Sequence, residues 1–308
     1  MTTAFYSHTA CHGHVTPEGH PERVARLHAV FDALGQPGFA ALDRRQAPLV
    51  ALEDVERAHP SSYVSMIANR AKQAGLSPER LDADTAICEG SWEAALRAAG
   101  AVTSAVDAVI AGEVDNAFCA MRPPGHHAEP EDPMGFCLFN SIAIGALHAQ
   151  AVHGLDRVAV VDFDVHHGNG TEAMFRTRPN CFFASSHQMP LYPGTGEPSD
   201  LPNILDIPLR PGTGSEAFRA AWDEEILPAL DAFKPEFIFV SAGFDGHKFD
   251  PLAQLYLEDE DFAWVTERLV ERARDICGGR LVSTLEGGYD LEALRTASAA
   301  HVGELMKA

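Results

Sequence analysis

Residues 158–170 read VAVVDFDVHHGNG, and this stretch decides the fold. Residues 158–161 form an apolar run with no polar face, which is typical of a parallel strand covered on both sides. Asp162, Asp164 and His166 follow at intervals of two, so in an extended chain their side chains project to the same face. The sequence therefore predicts a buried central strand that ends in two carboxylates and an imidazole.

Predicted strands and helices alternate along nearly the whole chain. The strands are expected in residues 4–10, 116–121, 158–161, 181–185, 204–209, 236–242 and 280–285. The helices are expected in residues 21–34, 54–73 (broken near 59–60), 91–110, 141–152, 215–233, 257–276 and 291–306, with Ser91 and Ser215 as N-caps. Such alternation predicts an α/β fold with one doubly wound, mostly parallel sheet between two helix layers. No repeat or linker interrupts it, so we expect one domain over residues 1–308.

The composition excludes several classes of protein. The 44 acidic residues against 23 basic ones give a formal net charge of −21, which argues against a nucleic-acid partner because phosphate contacts need clustered Lys and Arg. No run of about 18 apolar residues is present, and the N-terminus lacks the pattern of a signal peptide. We therefore expect no membrane span and a cytoplasmic location. The six cysteines form no CxxC pair and are expected to be buried thiols.

Polar, glycine-rich segments follow the predicted strands, and in a parallel sheet these strand ends share one edge. Asp245 follows the strand predicted for residues 236–242 and can therefore complete a metal site with Asp164 and His166. Two carboxylates and an imidazole suit Zn²⁺ or Fe²⁺ better than Ca²⁺ or Mg²⁺. Three protein ligands with a free position are typical of a catalytic metal.

Two further groups at this edge fit proton transfer and charge stabilisation. His126 and His127 follow a stiff Pro-Pro-Gly turn, and a neutral imidazole beside a metal is suited to accept a proton from water. Tyr289 lies between two turn residues after a strand, where its phenol can donate a hydrogen bond to an oxyanion. Each residue alone also fits a structural role, as a loop histidine or a half-buried aromatic. Together they favour metal-assisted hydrolysis.

Five ordered segments resemble the metal-dependent histone deacetylase family, which includes the acetylpolyamine amidohydrolases. The segments are RPPGHHA, GFCLFN, VDFDVHHGNGT, SAGFD with DPL, and LEGGYDL, and they lie within residues 23–291. Their details are most similar to the class II branch and its bacterial relatives. The resemblance implies an arginase/deacetylase-like α/β/α fold. It also implies a Zn²⁺-dependent hydrolase, with Fe²⁺ as the alternative metal, that removes acetyl or other acyl groups from acyl-lysine or a related acetylated amine.

The resemblance implies roles for individual residues, all numbered in this sequence. The metal and catalytic residues would be Asp164, His166 and Asp245 as Zn²⁺ ligands, His127 as general base, His126 as its electrostatic partner, Asp162 orienting His126, and Tyr289 polarising the acetyl carbonyl. The remaining residues would be Gly135, Phe136 and Tyr192 in the substrate tunnel, Leu252 at its rim, Arg23 in an internal acetate channel, and Asp162, Asp164, His166, Ser185 and Ser186 around a structural K⁺.

Three positions bear on activity and specificity. By the resemblance, class I members carry Asp at the position of Asn169, whereas class II members carry Asn. We therefore expect His127 to be a weaker base than it would be beside a carboxylate. An acidic rim residue that holds the substrate backbone is expected at Asp82 or Asp84, and we favour Asp82. Leu252 stands where the polyamine-selective branch has glutamate, which favours acyl-lysine over acetylpolyamine.

Two other functions are compatible with parts of the sequence. An arginase-type ureohydrolase shares the alternating layout but needs further carboxylates to hold two Mn²⁺, whereas Gly246 and His247 follow Asp245. A non-catalytic acetyl-lysine reader is expected to lack a ligand or the tyrosine, and both are present here. Among deacetylase substrates, acetylated protein, acetylpolyamine and small acetylated metabolites stay open because they share the same chemistry.

Overall fold

A computed structural model describes residues 2–307, and its centre is one sheet of eight parallel strands. These eight strands are β1 (Thr3–Ser7), β2 (Asp43–Gln46), β5 (Asn116–Cys119), β6 (Val158–Asp162), β7 (Cys181–Gln188), β8 (Ile204–Leu209), β9 (Phe237–Ala242) and β10 (Leu281–Leu285). A separate antiparallel pair consists of β3 (Glu79–Arg80) and β4 (Ala86–Ile87). The parallel α/β architecture predicted from the sequence is thereby confirmed.

The strand order brings distant segments together. The order across the sheet is β2-β1-β5-β10-β9-β6-β7-β8. Strand β6 pairs with β9 on one side and β7 on the other, and all five of its residues are buried, as its apolar run predicts. Because β5, β10, β9 and β6 are neighbours, the segments that follow them meet at one edge of the sheet.

Helices cover both faces of the sheet. They are α1 (Ala25–Leu34), α2 (Leu52–Val55), α3 (Ser61–Ala74), α4 (Glu89–Ile110), α5 (Ser141–His153), α6 (Asn169–Phe175), α7 (Ser215–Ala221), α8 (Leu227–Phe233), α9 (Asp259–Cys277) and α10 (Leu291–Leu305). Helix α4 packs on α5 in one layer, and α10 packs on α9 and α1 in the other. The core between the layers is apolar, and all six cysteines lie in buried positions as free thiols. None of the helices in residues 2–307 is long and apolar enough to cross a membrane.

Several predicted boundaries are wrong for local reasons. Strand β2 was not expected, because its sequence DRRQ is charged and forms the partly exposed edge of the sheet. Ser91 does not cap α4, which begins at Glu89; its hydroxyl instead accepts a hydrogen bond from the Cys88 amide. Ser215 is also inside its helix, and its hydroxyl donates to Asp261. A π-helical turn at Trp222–Ile226 divides the single helix expected for residues 215–233.

Candidate active site

Asp164, His166 and Asp245 converge where β6 and β9 end. The Nδ1 atom of His166 lies 3.2 Å from Asp164 Oδ1 and 3.1 Å from Asp245 Oδ2, and all three side chains are buried. Burial alone would lower the pKa of His166, but the two carboxylates raise it to about 10. Within residues 2–307, these carboxylates have only imidazoles as cationic partners within 4.0 Å. The group therefore has the charge and the donor atoms to hold a divalent transition-metal ion.

The surrounding backbone fixes the two carboxylates. Asp164 Oδ2 accepts a 2.8 Å hydrogen bond from the Gly287 amide, and Asp245 Oδ1 accepts one of 3.0 Å from the Val165 amide. A Cβ atom on Gly243 would lie 1.9 Å from Asp164 Oδ2, and one on Gly287 would lie 1.9 Å from Asp245 Oδ2. Glycine at these two strand ends thus makes room for the carboxylates.

The two adjacent histidines have different partners and different charges. His126 Nδ1 lies 2.9 Å from Asp162 Oδ2, and against the effect of burial the neighbouring carboxylates raise the pKa of His126 to about 10. His127 Nδ1 lies 2.7 Å from Asn169 Oδ1. Burial, followed by the charges of His126 and His166, holds the pKa of His127 well below its ordinary value. A charged His126 therefore lies beside a neutral His127, with 4.0 Å between the ring centroids.

The hydrogen bonds around Asn169 determine which nitrogen of His127 carries the proton. Asn169 Nδ2 donates to Glu129 Oε1 at 2.7 Å, which orients Oδ1 towards His127. Because that oxygen only accepts, His127 Nδ1 must be the donor. The lone pair of the neutral ring is then on Nε2, and His127 lines the pocket beside His166 and Tyr289. This arrangement suits a general base.

Tyr289 lies on the other side of the pocket, and its phenol is held in the protonated form. Its ring is 4.9 Å from the Arg26 guanidinium carbon and packs edge-on against Phe136. Burial raises the pKa of Tyr289 well above its ordinary value despite the opposing charge of Arg26. The hydroxyl makes no hydrogen bond to protein atoms of residues 2–307, so it is free to donate to a ligand.

Two buried acids that the sequence analysis did not assign support these groups. Glu286 accepts hydrogen bonds from the Gly125 and His126 amides, and burial raises its pKa to about 7. Asp250 accepts from the Tyr289 amide at 2.7 Å, and burial together with Asp245 raises its pKa to about 7. Glu286 lies in the LEGGYD segment and Asp250 in the DPL segment, and these positions could have indicated their roles from the sequence. Both position the backbone of a residue that lines or adjoins the pocket.

A pocket of about 210 Å³ opens above these groups. It is lined by Asp84, His127, Gly135, Phe136, His166, Leu191, Tyr192, Leu252 and Tyr289. The four residues expected in the tunnel and rim (Gly135, Phe136, Tyr192 and Leu252) are therefore all present, and Leu191 was not expected. Gly135 has φ = +57°, and a Cβ there would lie 2.3 Å from the His127 ring, so glycine is required for this approach.

The favoured rim acid, Asp82, is not among the residues that line the pocket. Asp82 is exposed, and its Oδ1 accepts hydrogen bonds from the Asp84 and Thr85 amides, so its carboxylate shapes the loop. Asp84, not Asp82, lines the pocket. Burial and the charge of Asp82 raise the pKa of Asp84.

The expected channel arginine, Arg23, is not in the interior, because its side chain is exposed to solvent. Helix α1 begins at Ala25, and its inward face carries Arg26 instead. Arg26 donates to the Gly288 carbonyl at 2.6 Å and forms an ion pair with Glu22, which also pairs with Arg122. All three of these charged side chains are fully buried behind Tyr289. A buried ion-paired group of Arg26, Glu22 and Arg122 is thus packed behind Tyr289.

The residues expected around K⁺ are buried next to the metal group. Ser185 pairs with Asp162 across strands β6 and β7, and the Ser186 hydroxyl accepts a hydrogen bond from Trp222 Nε1 at 3.0 Å. Asp162, Asp164, His166, Ser185 and Ser186 are all at most 8% exposed.

Comparison with known proteins places this site in a family. Residues 20–305 match the family model of the histone deacetylase domain. The chain is 42% identical over 276 residues to the histone deacetylase-like amidohydrolase of Pseudomonas aeruginosa, covering 87% of this chain and 71% of that protein. It is 40% identical to a probable deacetylase of Archaeoglobus fulgidus (95% and 82% covered) and 39% identical to the chloroplastic histone deacetylase 14 of Arabidopsis thaliana (96% and 74% covered).

A solved structure has a similar fold over nearly the whole chain. The crystal structure of the HDA15 HD domain superposes with a TM-score of 0.93 at 31% identity, covering 99% of this chain and 90% of that one. The match to the family model and the full-length structural similarity agree with the geometry of the pocket. The chain belongs to the histone deacetylase domain family and is a hydrolase that acts on amide bonds.

Proposed function

We propose that this protein is a zinc-dependent deacetylase whose preferred substrate is an acylated lysine side chain. One observation carries the proposal: Asp164, His166 and Asp245 meet at the floor of a narrow pocket that His127 and Tyr289 also line. The names of several relatives as histone deacetylases support the lysine substrate.

The donor set favours zinc as the metal. One imidazole and two carboxylates suit Zn²⁺, and Fe²⁺ is the alternative because it takes the same ligand types. When bound, the ion supplies a Lewis acid that polarises the amide carbonyl and lowers the pKa of water. Everything else in the reaction falls to side chains of the chain itself.

His127 and Tyr289 provide the remaining chemistry. The neutral Nε2 of His127 accepts the proton of the attacking water and returns it to the leaving amine. Burial, together with the charged ring of His126 anchored on Asp162, keeps His127 neutral in the resting state. The protonated Tyr289 hydroxyl donates a hydrogen bond to the oxygen that becomes negative, a contribution of about 2.7–4 kcal/mol in comparable sites.

The rim residue Leu252 favours acyl-lysine over acetylpolyamine. A polyamine carries cationic amines beyond the acetamide, and desolvating them beside an apolar side chain is unfavourable without a carboxylate partner. The net charge of −21 attracts any polycation, but that long-range attraction is screened beyond about 8 Å at physiological salt. The local contact with Leu252 therefore determines which of the two substrates is preferred.

Steady-state kinetics on an acetyl-lysine peptide, a longer acyl-lysine peptide and acetylspermidine test the proposal. We expect kcat/KM for the acetyl-lysine peptide to exceed that for acetylspermidine at least tenfold, about 1.4 kcal/mol. Leu252→Glu should narrow this ratio, whereas Leu49→Glu, at an exposed position outside the pocket, should leave it unchanged. A wild-type enzyme that is faster on acetylspermidine would point to Asp84 as a polyamine-binding carboxylate and contradict the lysine preference.

We also propose that a structural K⁺ binds at the five buried residues around Asp162. Ser185 and Ser186 supply oxygen atoms next to Asp162, the type of ligand that such a hard cation prefers. Replacing K⁺ by a large organic cation in the buffer should lower the thermal stability of the wild type. Equal melting temperatures in both buffers would count against this ion.

A further inference from the structure

A second group of potential metal ligands lies between helices α4 and α5, far from the pocket. It consists of Asp107 on α4 and His148 and His153 on α5, which we call the α4–α5 cluster. Helix α5 ends at His153 and leads into the start of β6, whereas Asp164 and His166 follow the end of β6. The cluster therefore lies at the edge of the sheet opposite to the catalytic residues.

The ligand atoms of the cluster surround one point. Asp107 Oδ1 is 2.9 Å from His148 Nε2 and 2.7 Å from His153 Nε2, and the three donor atoms all lie within 4.8 Å of one another. The two contacts are hydrogen bonds in this structure, and tetrahedral ligands about 2.0–2.2 Å from a zinc ion lie about 3.3–3.6 Å apart, so a shift of less than about 1 Å in the side chains makes room for the ion. Two imidazoles and one carboxylate are a donor set that suits Zn²⁺.

Each ring nitrogen of His148 faces a carboxylate, so a neutral ring leaves one lone pair against a carboxylate, and only a second proton or a bound metal ion satisfies both nitrogens. His148 Nδ1 is buried, has no well-aligned hydrogen-bond acceptor, and lies 3.1 Å from the Asp54 carboxylate. A proton on Nε2 leaves the Nδ1 lone pair facing Asp54, whereas a proton on Nδ1 leaves the Nε2 lone pair facing Asp107. The second arrangement becomes favourable when a metal ion binds Nε2, because Asp54 then orients the ring from behind.

Another buried cluster shows the contrast. His167, Glu172 and Asp206 also bring potential ligand atoms together. There, the Thr195 hydroxyl is 2.8 Å from His167 Nδ1, while Nε2 faces the two carboxylates. A neutral His167 with its proton on Nε2 satisfies every contact of the ring. Both ring nitrogens of His167 thus have an aligned partner, whereas His148 Nδ1 in the α4–α5 cluster has none.

The helix ends add a favourable field. Asp107 lies in the last turn of α4 and His153 in the last turn of α5. The C-terminal ends of helices carry partial negative charge, which stabilises a nearby cation. Arg57 contacts Asp54 at the periphery, and among residues 2–307 Asp107 has no lysine or arginine partner within 4.0 Å.

We infer that Asp107, His148 and His153 form a second zinc site that ties the end of α4 to the end of α5. The site is partly open, since Asp107 is exposed and His153 is only half-buried, so water can complete the coordination. Its role is structural. By holding α5 where the chain turns into β6, the ion stabilises the fold without taking part in hydrolysis.

Metal counting by native mass spectrometry tests the second site in the intact protein. Wild type, His153→Ala and Asp107→Asn are equilibrated with Zn²⁺ at pH 8 and desalted; both substitutions are at partly exposed positions that should tolerate them. We expect two zinc ions per wild-type chain and one in each variant, with deacetylase activity within about twofold of wild type. His28→Ala, an exposed histidine of α1 outside the cluster, serves as the control and should keep two.

The outcomes separate this inference from the proposed function. Equal zinc counts in wild type, His153→Ala and Asp107→Asn would overturn the second site, whatever the activity of the protein. Loss of one zinc in both variants supports it even if the protein proves inactive on every acylated amine. A smaller zinc-induced rise in melting temperature in the two variants than in wild type is the expected second readout.

Discussion

Replacing Asn169 by Asp tests whether His127 is the catalytic base. Asn169 Oδ1 lies 2.7 Å from His127 Nδ1, and because the side chain is neutral it stabilises a positive charge on the ring less than a carboxylate would. A carboxylate at this position stabilises the protonated form of His127 and raises its pKa. The active form of the base is the unprotonated one, so the variant should lose activity at a higher pH than wild type.

The size of the shift follows from the distance. Opposite charges about 4 Å apart attract by about 4 kcal/mol at an effective dielectric constant of about 20. At 1.36 kcal/mol per unit, this corresponds to about three pKa units. Glu129 Oε1 lies 2.7 Å from Asn169 Nδ2, so repulsion between two carboxylates removes part of the effect. We therefore expect the pKa of His127 to rise by about one to two units.

The assay is the pH dependence of kcat/KM, whose acidic limb reports the pKa of the base in the free enzyme. In Asn169→Asp the limb should move to higher pH by about one to two units. Adding Glu129→Gln restores a donor to the new carboxylate and should move the limb further, whereas Glu129→Gln alone should move it little. An acidic limb that stays in place in both the single Asn169→Asp variant and the double variant would refute His127 as the group that sets it.

Four further variants probe other parts of the protein. Tyr289→Phe should lower kcat by about 10²–10³ with little change in metal content, because it removes one donor to the developing oxyanion; an unchanged kcat would contradict that role. Asp84→Asn should lower kcat/KM for a peptide about tenfold or more, the range of a hydrogen bond to a charged group, whereas Asp82→Ala should mainly lower the melting temperature. Although burial opposes it, Arg122 holds the pKa of Glu22 well below its ordinary value of 4.5. The stability from this pair is therefore present above about pH 4.5 and lost only as the pH falls through the lower folded value. Glu22→Gln should cost about 3–5 kcal/mol in urea unfolding at pH 7, with a smaller difference in acid; equal midpoints at pH 7 would count against the pair.

The sequence predicted best the features that depend on strand periodicity. The apolar run before Asp162 can only be a strand covered on both faces, and side chains spaced by two must then share a face. Because the neighbouring strand β9 ends in the same manner, Asp245 could be placed beside Asp164 before any coordinates were known. These inferences need only the parallel order of the sheet.

The sequence predicted least well the features that depend on an exact rotation or loop path. Arg23 and Arg26 differ by three residues at the start of a helix, and only the position of the first helical residue decides which side chain turns inward. Asp82 and Asp84 lie two residues apart in an irregular loop. The Asp82 carboxylate accepts hydrogen bonds from the amides of Asp84 and Thr85, which leaves Asp84 to line the pocket. Neither of these two differences produces a periodic pattern in the sequence.

The release of acetate from an acetyl-lysine peptide by metal-stripped and zinc-restored protein tests the central claim most directly. We predict no turnover after chelation and recovery of the wild-type rate when Zn²⁺ is added back. Asp245→Asn, measured in parallel, should stay inactive at the same zinc concentration because it removes one of the carboxylates around His166. Full activity in the stripped protein, or in Asp245→Asn, would contradict a metal-dependent deacetylase at this site.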